Sequence, residues 1–207
     1  AVLDGHAHTI RVDQRNQYFG GLIECKYGTI RNLHVTGTAT FEDESTLYFG
    51  GIVGYNTGLI EDCSFNGTIR TVGGFDYSTS ISPANGIGGI CGENAGGTIR
   101  GCTADGTIAL ALEGDNWYIG GICGYGSDGS QIEDCINHAS VSVSITGQEG
   151  SYMSAHAGGI CGGCQDVENY IDHCLNTASI EARTTIGITR VGGDCGWAGT
   201  CTDNGNT

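Results

Sequence analysis

Three groups of residues have the types and spacings that chemistry uses. Cys161-Gly162-Gly163-Cys164 has the C-x-x-C spacing of zinc and redox sites, with His173 and Cys174 close behind it. The neighbouring acids Glu61-Asp62 and Glu133-Asp134 are where the paired carboxylates of a glycoside hydrolase would be sought. His6 and His8 form a Gly-His-Ala-His pair, and Glu42-Asp43-Glu44 with Glu113-Gly114-Asp115 offer oxygen ligands of the kind Ca²⁺ takes. Each group also has a plainer reading. The C-x-x-C has no second copy and does not join a strand to a helix. The acid pairs recur at one place in a repeat, as solvated corners do. No EF-hand spacing is present, and His8 reads as a structural cap. His34, His138 and His156 have no partners nearby in sequence and read as surface residues. The expectation is therefore no metal, no cofactor and no catalytic residue.

The elements that would position these groups follow from a repeat. Gly-Gly pairs begin at Gly20, Gly50, Gly88, Gly120, Gly158 and Gly192, with spacings of 30, 38, 32, 38 and 34 residues. The frame is constant while the length varies, so the variation belongs in loops. Each unit holds three strand-like pieces: the Gly-Gly piece, an Ile-x-x-Cys piece, and a Thr/Val/Ile-rich piece. Ser140 to Ile145 alternates polar and apolar residues, the mark of a half-buried strand. No 3.6-residue apolar stripe appears. Short strands stacked in fixed register give an all-β parallel β-helix (β-solenoid) of about five to six coils with three short strands per coil. The domain spans 1–201. A lead-in strand covers 1–18, coils begin near 19, 49, 87, 119, 157 and 191, and a polar tail covers 202–207.

Stacking turns equivalent positions into columns. One is Ile30, Ile60, Ile99, Ile132 and Ile171; another is Leu33, Cys63, Cys102, Cys135 and Cys174; a third is Ile23, Val53, Cys91, Cys123, Cys161 and Cys195. Cysteine here alternates with Ile, Leu and Val, which marks a small buried hydrophobe. Buried thiols, disulfides along a ladder and metal ligation all remain open for these columns. Cys25, Cys164 and Cys201 fall outside them. An outer column, Arg31, Glu61, Arg100, Glu133 and Asp172, mostly alternates in sign and reads as a solvated charge ladder. The Gly-Gly pairs imply either a left-handed corner or a close approach of backbones.

Composition narrows the function. With 8 Lys and Arg against 23 Asp and Glu, the net charge of −15 opposes binding to nucleic acid or anionic lipid. No apolar run approaches the ~20 residues of a membrane helix, so no membrane insertion is expected. The 38 glycines lack a G-X-Y period, which excludes collagen. The opening Ala1-Val2-Leu3-Asp4-Gly5, without Met or signal peptide, reads as a mature or excised piece.

Gly51-Ile52-Val53-Gly54, Gly89-Ile90-Cys91-Gly92, Gly121-Ile122-Cys123-Gly124 and Gly159-Ile160-Cys161-Gly162 resemble the GLUG motif. Leu3-Asp4-Gly5-His6-Ala7-His8-Thr9-Ile10 resembles the segment that precedes such repeats. The first unit departs at Glu24 and the last at Asp194. The resemblance implies an accessory β-helical module of a larger exported bacterial protein, such as an immunoglobulin A peptidase or an adhesin. It implies secretion or the cell surface, flanking domains as partners, and motif residues that are structural. The zinc signature H-E-x-x-H of the peptidases is absent.

The expected function is thus a non-catalytic extracellular spacer or adhesin-like module that binds glycan or host surface protein. The alternative is a carbohydrate-active β-helix enzyme of lyase or hydrolase type. Ligand contact is expected where two loops, 73–86 and 147–155, leave the same corner two coils apart. Phe75, Tyr77 and Tyr152 lie in those loops, and Trp117 and Tyr118 lie between them.

Overall fold

The computed structural model describes residues 1–16, 23–41, 48–72, 85–114, 116–147, 153–165, 168–198 and 202–204. Among them there is no helix, and every strand pairing is parallel. Each strand pairs with its equivalents one coil before and one coil after. Thr98–Arg100, for example, lies between Leu59–Glu61 and Gln131–Glu133. The chain is a parallel β-helix with three sheets. The first sheet stacks Tyr48–Gly50, Asn85–Gly88, Asn116–Gly120, Ser154–Gly158 and Ile188–Gly192. The second stacks Ile23–Cys25, Val53–Asn56, Cys91–Ala95, Cys123–Ser127, Cys161–Cys164 and Cys195–Ala198. The third takes two segments from a coil, as with Leu59–Glu61 and Ser64–Thr71.

A left-handed residue separates those two segments. Asn32, Asp62, Asp134 and His173 have φ between 50 and 52°, and Gly101 has φ 61°. Asn, Asp, His and Gly are the residues that tolerate this region best, so the sequence marks the corner coil after coil. The acids Asp62 and Asp134 are thus corner residues.

The columns stack as the sequence implies. Ile60, Ile99 and Ile132 are 0 % exposed, and Ile30 and Ile171 close that column at either side. A second ladder, Ile52, Ile90, Ile122 and Ile160, fills the corner after each Gly-Gly pair. Side chains along Ser140–Thr146 alternate between buried and outward, as the sequence alternates. At roughly 25 cal/mol per Å², one fully buried Ile contributes about 2 kcal/mol, and no coil can bury its own without neighbours.

Cysteine suits its columns for a reason beyond size. Cys63, Cys102, Cys135 and Cys174 each donate S–H to the backbone carbonyl two residues before, at 3.2 to 3.4 Å. Cys91, Cys123, Cys161 and Cys195 donate to the carbonyl two residues after, at 3.1 to 3.3 Å. One small side chain both fills the column and satisfies a corner carbonyl. The ten described cysteines are thiols. Cys25 and Cys164, outside the columns, are also buried.

The Gly-Gly pairs resolve as close approach. A Cβ on Gly121 would lie 2.2 Å from Asn137 across the core and 2.3 Å from the Gly159 carbonyl of the next coil. None of the described pair glycines has a positive φ. The residue facing them changes along the rod, from Phe65 through Ala104 to Asn137, and the Asn137 amide donates to Asn176 of the next coil at 2.9 Å.

The charge ladder forms in part. Arg31 Nε bonds Asp4 at 2.8 Å and Arg100 bonds Glu61 at 2.7 Å, whereas Glu133 accepts the Tyr170 hydroxyl at 2.6 Å. That bond pushes the Tyr170 hydroxyl up to about 12. His8 Nδ1 meets the Gly5 carbonyl at 2.9 Å, closing the bulge in the lead-in strand.

Candidate functional site

The residues flanking each Gly-Gly motif on the outward side of their strands form two further columns. In the first sheet the column is Tyr48, Gly86, Tyr118, His156 and Arg190. In the second it is Tyr55, Glu93, Tyr125, Gly163 and Trp197. The Gly-Gly-Ile corner brings these two columns face to face along the rod. Tyr48 and Tyr55 are 6.2 Å apart between ring centres, and Tyr118 and Tyr125 are 4.8 Å apart. His156 stacks on Tyr118 at 4.8 Å with 14° between planes, and Trp197 closes on both at 6.0 and 5.9 Å. The Tyr118 and Tyr125 rings form a cluster of their own, separate from the main core.

Glycine spaces the rings. A Cβ on Gly163 would lie 2.4 Å from the Tyr118 ring, and one on Gly86 would lie 3.3 Å from Tyr125 Cβ. Along these two columns, half-buried Tyr48 and Tyr55 mark one end and half-buried Trp197 the other, with buried Tyr118, Tyr125 and His156 toward Trp197.

Polar groups edge the rings. Glu93 Oε1 accepts the Ser127 hydroxyl at 3.0 Å, and Tyr48 also hydrogen-bonds this carboxylate. Burial pushes the Glu93 carboxyl above its ordinary range, the nearby Asp128 adds to the shift, and the Ser127 and Tyr48 bonds oppose it. Tyr125 donates its hydroxyl to Gln165. Burial also lowers the His156 imidazole to about 4, assisted by Arg190, and its Nδ1 has no hydrogen-bond partner. Tyr55 and Tyr118 are raised by burial.

The sequence-predicted site residues distribute unevenly. Phe75, Tyr77 and Tyr152 lie outside the described residues, as do Glu42 to Glu44, Asp115 and Cys201. Tyr118 is in the ring cluster at 8 % exposure. Trp117 is on the inward side of the same strand, 3 % exposed in the main core, with its indole N–H donated to the Gly114 carbonyl at 3.1 Å. His156, expected at the surface, is 3 % exposed, because Tyr118 of the preceding coil stacks on its ring and Trp197 of the next coil closes against both. His34 pairs with Ser64 at 2.7 Å. Cys161 and Cys164 come together at 3.7 Å between sulfurs, but Cys174 belongs to the other thiol column and His173 turns to Asp172 at 3.0 Å. Among the described residues no cluster of three or more His, Cys, Asp or Glu is arranged to hold a metal ion.

Tyr48, Tyr55, Glu93, Tyr125 and Trp197 were missed. Their signal is positional: each lies two residues before the Gly-Gly pair or directly after the motif's final glycine.

With the geometry in place, the class is a β-solenoid of repeated Gly-Gly coils. The family model of the GLUG motif matches residues 45–70 and 83–109, the second and third coils. No curated protein and no solved structure matches the chain. No helix among the described residues is long and apolar enough to cross a membrane.

Proposed function

We propose that the chain is a non-catalytic module of a larger secreted or cell-surface bacterial protein, and that its edge of tyrosine and tryptophan rings binds neutral glycan. The GLUG motif supports a β-helical repeat module of a larger protein. The observation that carries the glycan reading is the pairing of tyrosine rings with the buried Glu93 carboxylate and the exposed Gln165 amide along one edge of the rod. Flat rings take the apolar face of a sugar, while Glu93, Ser127 and Gln165 supply hydrogen bonds to hydroxyls. The charge of −15 disfavours sulfated or uronic polymers.

The carboxylate pairs suggested for a hydrolase are otherwise engaged. Glu61 binds Arg100, Glu133 binds Tyr170, and Asp62 and Asp134 turn corners. These uses favour binding over turnover.

A glycan array with the purified chain tests the reading. Retention of neutral glycans, weakened about tenfold by Tyr55→Ala, is the expected result. Binding to protein ligands alone, or glycan cleavage abolished by a carboxylate substitution, would overturn it.

A further inference from the structure

We propose that Cys161 and Cys164 form a reversible disulfide within one strand when the folded protein meets a small peroxide. The two sulfurs are 3.7 Å apart and both residues are buried, at 0 and 1 % exposure.

The surroundings single this pair out among many thiols. Column sulfurs touch along their ladders too, but each column thiol points at a carbonyl two residues away in its own coil. Cys123 points at Tyr125, Cys161 at Gly163 and Cys195 at Trp197, at 3.2 to 3.3 Å. Their Cβ–Sγ bonds therefore run parallel, whereas a disulfide needs a dihedral near 90°. Bonding two of them requires both to rotate and both to give up their carbonyls.

Cys164 approaches differently. It occupies the position that Asn56 and Asn94 fill in earlier coils, where an amide secures the next turn. In this coil the buried amide nearby is Asn169, which accepts the Ser130 N–H of the preceding coil at 2.6 Å. Cys164 directs its S–H at Cys161 instead. Between them are two glycines, so the backbone can tighten as the sulfurs close to the ~2.05 Å bond length. Cys164 also ends its strand beside exposed Gln165, which gives a small oxidant the shorter path.

The chemistry balances with hydrogen peroxide as oxidant. The Cys164 sulfur attacks one peroxide oxygen, the O–O bond breaks, and water leaves with Cys164 as sulfenic acid. The Cys161 sulfur then attacks Cys164 Sγ, the S–O bond breaks, and a second water leaves. Two thiols lose two electrons and two protons in total. A dithiol reductant reverses the step.

The test is peroxide treatment of the folded chain, alkylation of remaining thiols after denaturation, and cleavage before aspartates. The peptide spanning 134–165 holds Cys135, Cys161 and Cys164. The expected result is a peptide 2 Da lighter than its fully reduced form, linked 161–164, with Cys135 alkylated and the lost thiols restored by dithiothreitol. Cys164→Ser, checked for unchanged circular dichroism, should abolish the link. A link from Cys161 to Cys123 or Cys195, or no disulfide before irreversible over-oxidation, would overturn the proposal. If Cys164→Ser does not fold, the linkage map of the unaltered chain still decides.

Discussion

An inner coil and the last coil use the same pattern with opposite results. Ile119 in the inner coil is 0 % exposed, while Val191, two coils on in the same column, is 49 % exposed. Gly121 is hemmed in by Asn137 and by the next coil, while Gly193, its counterpart, has nothing within 4 Å of where a Cβ would be. Ile186 and Ile188 of the last coil are exposed as well. The motif does not carry its own stability: the same residues are structural or idle according to whether a neighbour stacks on them.

Substitutions at matched positions can break or sharpen this contrast. The largest gap belongs to the glycines. Gly121→Ala should cost more than ~4 kcal/mol in urea unfolding or prevent folding, while Gly193→Ala should stay within about 0.5 kcal/mol. Equal effects would mean the coils do not abut as described. Ile119→Ala should cost about 2–5 kcal/mol, and Val191→Ala under ~1 kcal/mol.

A smaller effect comes from pH. The folded state holds His156 at about 4 against 6.5 for the free imidazole, so in that window the unfolded chain binds the extra proton. Stability from this group is complete above pH 6.5 and falls as pH drops toward 4, by about 1–2 kcal/mol after allowance for solvent screening. His156→Phe should flatten that part of a pH–stability curve. Asp4, lowered to about 2 mainly by the His6 backbone N–H, acts in a lower window, losing its contribution below 3.8. The smallest effect is Arg100→Ala, which breaks an exposed pair with Glu61 and should leave the urea midpoint almost unchanged, with any difference fading in high salt.

What the sequence made legible was whatever repeats at one-coil spacing. The isoleucine column, both thiol columns and the Arg31–Glu61–Arg100 ladder follow from aligning the Gly-Gly pairs, because stacking maps equal position onto contact. The left-handed corner was legible only in part: Asp62 and Asp134 read as solvated corners, but a left-handed turn was expected at the Gly-Gly pairs, because the trait that Asn32, Asp62, Gly101, Asp134 and His173 share is conformational rather than chemical. The ring cluster was harder. His156 looks solitary in sequence because its partners Tyr118 and Trp197 are in other coils and do not repeat in type. Trp117 and Tyr118 are adjacent in the chain, yet strand alternation sends one inward and the other outward. Glu93 gives no sign of its burial until Tyr48 and Ser127 are placed around it.

Timed alkylation of the native protein, read site by site by mass spectrometry, tests the stacked interior most directly. Cys102, Cys123, Cys135 and Cys161, all at 0 % exposure, should label only through global unfolding, at least a hundredfold more slowly than the partly exposed Cys195. Labelling of Cys102 or Cys135 at the rate of Cys195 would contradict the account.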